Sequence, residues 1–132
     1  MEQHATTEAD VTKIFASLKK GEVDGMLIIS PKLMTNFPEQ ILRLSLKKKI
    51  PLGHHRHALV EHGALFSYGP DYLEVAQNIA GYVDRIVKGS KPADLPVQQT
   101  ARLKLVVNLK TARALGITVP QSVLLRADQV IE

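Results

Sequence analysis

Gly63-Ala64-Leu65-Phe66-Ser67-Tyr68-Gly69-Pro70-Asp71-Tyr72 is the stretch whose reading decides the fold. Ala64, Leu65 and Phe66 form a short apolar run, the pattern of a strand covered on both faces. Gly69 and Pro70 then read as a tight polar turn. Pro70 suits the first turn of a following helix, where its missing N–H costs nothing. Asp71 and Glu74 share that first turn, where the positive end of the helix dipole favours carboxylates. Ser67, Tyr68 and the free N–H groups around Gly69 therefore stand at the carboxyl end of a strand. In open α/β sheets that is where ligands bind.

Upstream, Thr7 is placed to cap a helix with Asp10 at its third position. Val11, Ile14, Phe15 and Leu18 give that helix one apolar face, and Gly21 ends it. Met26-Leu27-Ile28-Ile29 reads as a central parallel strand, closed by Ser30-Pro31. Thr35 or Asn36 caps the next helix, with Pro38 and Glu39 in its first turn and Lys47 to Lys49 in its last. A strand at Ile50 to Gly53 ends at His54-His55, and a short helix over roughly Arg56 to Glu61 leads back to the opening stretch.

Downstream, Tyr72, Val75, Ala76, Ile79, Val83, Ile86 and Val87 keep a helical period from Pro70 to Lys88, and Gly89 stops it. Ser90 to Gln99, with Pro92 and Pro96, is an extended connector. Arg102 to Asn108 is strand-like. Thr111 to Leu115 is a short helical turn before Gly116, and Pro120 opens a last helix through Ala127. Alternating helices and strands predict an α/β fold, a parallel sheet flanked by helices. Parallel strands bring Ser30, His54-His55 and Ser67-Tyr68 to one edge, the predicted binding edge.

Composition sets the outer limits. The 132 residues fit one domain, and 45% hydrophobic residues suffice for a core. A net charge of +4 favours acidic partners only weakly. No Cys is present, which removes disulfide and thiolate chemistry. No apolar run approaches the ~20 residues that span a bilayer, and the polar start Met1 to Thr7 lacks a signal-peptide core.

Catalytic motifs are absent: there is no P-loop, no dinucleotide fingerprint, no zinc-protease helix and no nucleophile elbow. Ser67 has no evident base beside it, so its hydroxyl either satisfies local backbone or meets a ligand. Tyr68 either packs under the turn or stacks on a ligand. His54, His55, His57 and His62 cluster, but adjacent His54 and His55 point apart in an extended segment, and no Cys or carboxylate group joins them. No metal site and no cofactor is expected; one histidine lines the binding edge and the others face solvent. Lys47 to Lys49 are explained by a helix C-terminus and lack interleaved aromatics, so nucleic acid is not an expected partner.

The opening stretch Gly63 to Tyr72 resembles a signature of the substrate-binding proteins of ABC transporters, in the tryptophan/tyrosine-type or functionally unassigned subfamily. The similarity continues through Tyr82 to Gly89, Lys91 to Gln98, Leu105 to Ala112, Ala114 to Ile117 and Arg126 to Ile131. Val23 to Ile28 and Lys49 to Pro51 fit more loosely. The resemblance implies a two-lobed type I periplasmic-binding-protein clamshell that holds a small solute between its lobes and delivers it to a permease, without catalysis. It implies ligand contacts at Ser30, Pro31, His54, His55, Ser67, Tyr68 and Gly69.

On that resemblance, residues 1–132 form a single α/β unit matching the C-terminal portion of such a protein. Residues 1–66 are half of the C-terminal lobe, 67–89 a crossover and helix, and 90–132 the return strand and terminal helices. The N-terminal lobe and signal peptide are then outside this chain. Localisation is periplasmic or lipid-anchored for the longer form and cytoplasmic for the chain as it stands. The Pro70 to Lys88 helix loses its usual partner and becomes a candidate homodimer face. Many relatives carry an acidic residue where His54-His55 stand, which points away from a ligand amine. Two other functions fit the residues less well. A stand-alone receiver-like regulatory domain needs an acidic cluster at the strand ends, and a small hydrolase using Ser67 needs triad partners.

Overall fold

The computed structural model describes residues 4–19, 21–29, 32, 36–98 and 102–132. Its first helix, α1 (Glu8–Ser17), begins as the Thr7/Asp10 spacing predicts. Asp10 N–H donates to the Thr7 hydroxyl at 3.2 Å, and the Asp10 carboxylate accepts from Thr7 N–H at 2.9 Å. Hydrogen bonds from the Thr7 side chain, then from the Thr6 and Thr7 backbone, hold the Asp10 carboxyl down to about 2. Val11 and Phe15 are buried on the inner face of α1, which packs against α2 (Pro38–Lys48) through Ile41 and Leu42. Phe37, not Asn36, stands at the start of α2 and makes no side-chain cap, while Thr35 lies outside the described residues. Pro38 fits the first position because its missing N–H is unneeded there.

The sheet has the order β1-β2-β3-β4-β5. Its strands are β1 (Met26–Leu27), β2 (Leu52–His54), β3 (Phe66–Pro70), β4 (Leu103–Asn108) and β5 (Gln129–Ile131). β1, β2 and β3 run parallel, as expected, and so do β4 and β5; β3 and β4 are antiparallel, so the sheet is mixed. The cause lies in the connection. α4 (Tyr72–Val87) and the connector with its 3-10 turn (Pro92–Asp94) return the chain to the end of β3 that it left, so Leu103 pairs with Pro70 and β4 must run back. The short α3 (Ala58–Glu61) links β2 to β3.

Three expectations change. Ser67-Tyr68-Gly69-Pro70 is not a turn but the body of β3, because β4 supplies a hydrogen-bonding partner along its whole length. The helix that follows starts at Tyr72, with Asp71 as its cap accepting from Leu73 N–H at 3.0 Å. β1 is an edge strand rather than a central one, which leaves Leu27 63% and Ile29 76% exposed while Ile28 is buried. After α5 (Leu109–Leu115), ended by Gly116 at φ 73°, the last helix is only α6 (Gln121–Leu124), and the chain finishes as β5.

The core lies between the α1/α2 pair and the sheet, with Leu52, Leu59 and Ala64 at its centre. α4 is different: none of its residues is buried, and Leu73 is 68% and Val87 80% exposed. The connector is tied to it by Tyr82, whose hydroxyl donates to the Pro96 carbonyl and accepts from Gln98 N–H at 2.9 Å. Tyr82→Phe removes both bonds and is expected to cost about 1 kcal/mol. Faster amide exchange confined to the connector and α4 is the readout, and unchanged exchange there contradicts the tether. Among the described residues, no helix is long and apolar enough to cross a membrane.

Candidate functional site

The parallel pairing of β1, β2 and β3 places their carboxyl ends along one edge, and β3 projects furthest. His54 sits opposite Ser67, and Tyr68, Gly69 and Pro70 continue past the end of β2. This brings His54, His55, Ser67, Tyr68 and Gly69 together. Ser30 and Pro31 lie outside the described residues.

His54 is buried, and its Nδ1 accepts from Arg56 N–H at 2.8 Å. A backbone N–H only donates, so the ring proton of the neutral imidazole is on Nε2. That Nε2 is buried and makes no hydrogen bond among the described residues. Burial pushes the His54 ring down to about 4, helped by neighbouring His55 and Arg56. The His55 ring lies 4.2 Å from the His54 ring, centroid to centroid. It is half-buried, and burial, then Arg56 and His57, lower its pKa as well.

Ser67 is fully buried and is not without a base. Its hydroxyl is 2.9 Å from His57 Nδ1, and His57 Nε2 donates to the Pro70 carbonyl at 3.1 Å. His57, at the start of α3, thus clasps two points of β3 across the edge. The serine–histidine pair lacks the other parts of a nucleophilic centre. The second ring nitrogen meets a carbonyl where a triad places a carboxylate, and the serine is closed to solvent. What the pair does is lock the strand. Sequence spacing gave no sign of it, because the contact depends on β3 continuing past Ser67.

Tyr68 is 56% exposed and offers its ring at the edge. Gly69 is buried and lies so close to the His55 backbone that a Cβ there would overlap the His55 carbonyl oxygen. Arg56 is exposed beside the histidines. The strand ends therefore carry buried His54, Ser67 and Gly69, half-buried His55 and exposed Arg56, while exposed Tyr68, alternating with Ser67 and Gly69 in β3, faces the other side of the strand. Among the described residues, no group of three His, Cys, Asp or Glu is arranged to hold a metal ion.

Residues 1–131 match the family model described as ABC transporter substrate binding protein. The chain belongs to that family. A solved structure from Streptococcus pneumoniae, an ABC domain in complex with L-Trp, is 33% identical over 93% of this chain and 41% of its own, with a TM-score of 0.77. A conserved domain protein from Vibrio cholerae is 31% identical over 92% of this chain and 41% of its own, with a TM-score of 0.78. A ligand-free, open substrate-binding protein with adhesive properties from Clostridium difficile, 24% identical, shares the fold over 99% of this chain and 43% of its own (TM-score 0.68). The chain thus spans less than half the length of these solved relatives. No curated protein matches it.

Proposed function

We propose that this chain is part of the solute-capturing component of an ABC import system, one that holds a small polar molecule in an interlobe cleft and passes it to a membrane permease outside the cytoplasm. One observation carries the reading. A chain of this family gathers polar groups on one sheet edge, and its 16-residue α4 buries none of its residues. An apolar helix face left open in this way calls for a further surface to cover it.

On this reading residues 1–132 correspond to the C-terminal portion of a two-lobed protein, with 67–89 as crossover and helix and 90–132 as the return. The 41% to 43% coverage of the solved relatives supports reading the chain as a portion of a longer fold. The proposed contact set is Ser30, Pro31, His54, His55, Ser67, Tyr68 and Gly69. Within it Tyr68 and His55 have exposed surface to offer a solute, while Ser67, His54 and Gly69 are buried and hold the strand ends together.

The relative in complex with L-Trp makes L-tryptophan the first solute to titrate. Joined to a second lobe, the unit is expected to bind its solute with a Kd of about 1 μM, and alone with one nearer 1 mM, because one lobe cannot enclose it. Calorimetry that shows no binding of any amino acid or organic acid by the two-lobed form defeats the proposal. The open face of α4 also favours a second reading, in which two copies associate through the Pro70 to Lys88 helix; sedimentation equilibrium separates the two.

A further inference from the structure

Side chains along a strand alternate between the two faces of a sheet, and paired residues share a face. Leu52 shares the core cluster with Val11 and Phe15 of α1 and Ile41 of α2. Its neighbour Gly53 lies on the other face, in register with Leu27 and Phe66. On that same face Phe66 opposes Val107, Tyr68 opposes Leu105 and Pro70 opposes Leu103. Every one of these rows is apolar or aromatic. Leu27, Tyr68 and Leu103 are nevertheless exposed, and Phe66, Pro70 and Leu105 only half-buried. A parallel sheet of this kind is ordinarily covered on both faces.

α4 has the converse surplus. Ile79, Val83, Ile86 and Val87 fall on one side of the helix and are all exposed. The helix does not cover its own sheet, since none of its residues is buried. The chain exposes 9164 Å², where a folded monomer of its 14.6 kDa exposes about 6,900 Å². The excess far exceeds the ~800 Å² that each partner contributes to a standard interface.

We infer that two copies of this chain associate reciprocally, the apolar side of α4 in each lying on the open sheet face of the other. The inference rests on the second reading above, association through α4, and deepens it by naming the surface that receives the helix. Pairing α4 with α4 leaves both sheet faces open, whereas helix on sheet covers both kinds of surface in one two-fold contact. The dimensions agree. The 16 residues of α4 make a helix about 24 Å long, and five strands about 4.8 Å apart span about 19 Å. A docked helix covers the Tyr68 ring, so this association and solute contact at Tyr68 exclude one another.

The test is sedimentation equilibrium of the chain and of four single variants, Ile79→Lys and Val83→Lys on α4 and Leu27→Lys and Leu103→Lys on the sheet face. All four positions are exposed, and two on each surface keep the result readable if one variant fails to fold. The wild-type chain is expected to be dimeric, and each variant to weaken the dimer at least about thirtyfold while its circular dichroism stays native. An equimolar mixture of a helix variant with a sheet variant is expected to regain association, because each mixed pair retains one intact helix on one intact sheet face. A mixture that stays monomeric, or a dimer broken by the helix variants alone, overturns the inference and leaves α4-to-α4 pairing standing. A monomeric wild type, or a dimer that all four variants leave intact, overturns both.

Discussion

Gly69→Ala is expected to cost about 3 kcal/mol, the upper end of what overpacking costs, and to lower Tm by about 10 °C. The reason is what a new Cβ meets. It would overlap the carbonyl oxygen of His55 and stand 3.0 Å from the carbonyl carbon. These are backbone atoms, and they are held between β2 and the His57 clasp. No rotamer change relieves the contact, so the strand ends must separate. Gly53→Ala is the control. There the obstacle is the ring of half-buried Phe66, 2.6 Å away at Cε1, and a side chain can turn aside. Its cost is expected to be about 1 kcal/mol, at the low end for overpacking. Thermal melts of both variants decide the matter, and equal costs would mean that the β2–β3 approach is not the tight one.

The same residue shows why part of this molecule was legible in sequence and part was not. Signals that are local came through. The Thr7/Asp10 box, the αL stop at Gly116 and the helical period of α4 each depend on neighbours within a turn or two. Gly69-Pro70 failed as a turn because a strand's length is set by its partner, and β4 arrives only after a 16-residue helix and a connector. β5 was missed for a related reason. Gln129–Ile131 is too short for a pattern of its own and is a strand only because β4 offers an edge. Met26 to Ile29 has the composition of a central strand, yet sheet order, which no single segment encodes, puts β1 at the end. In the site, parallel pairing was enough to gather His54, Ser67 and their neighbours. It could not reveal the His57–Ser67 bond or the orphaned Nε2, since both arise from where buried atoms come to rest.

Stability is expected to fall by roughly 3 kcal/mol as pH drops from 7 to about 4, driven mainly by His54. Burial puts the folded His54 at about 4 against an ordinary 6.5. Between those values the unfolded chain binds a proton that the folded chain refuses, so each step down in pH favours unfolding. The contribution is fully present above pH 6.5 and is lost as pH falls toward 4, with a slope of about 1.4 kcal/mol per pH unit at its steepest. His55, also lowered, adds in the same direction. Asp10, held at about 2, and Asp128, lowered by Leu105 N–H and Arg102, are both depressed below the ordinary 3.8, so their stabilising effect is lost only at lower pH. Urea unfolding at half-unit pH steps measures the slope. His54→Asn keeps an oxygen to accept from Arg56 N–H but has no ring to protonate. It is expected to be less stable at pH 7 and much flatter between 6.5 and 4. A wild-type profile equally flat in that window would mean that the His54 ring is not closed off from water, and the orphaned donor at the floor of the site would then have a partner after all.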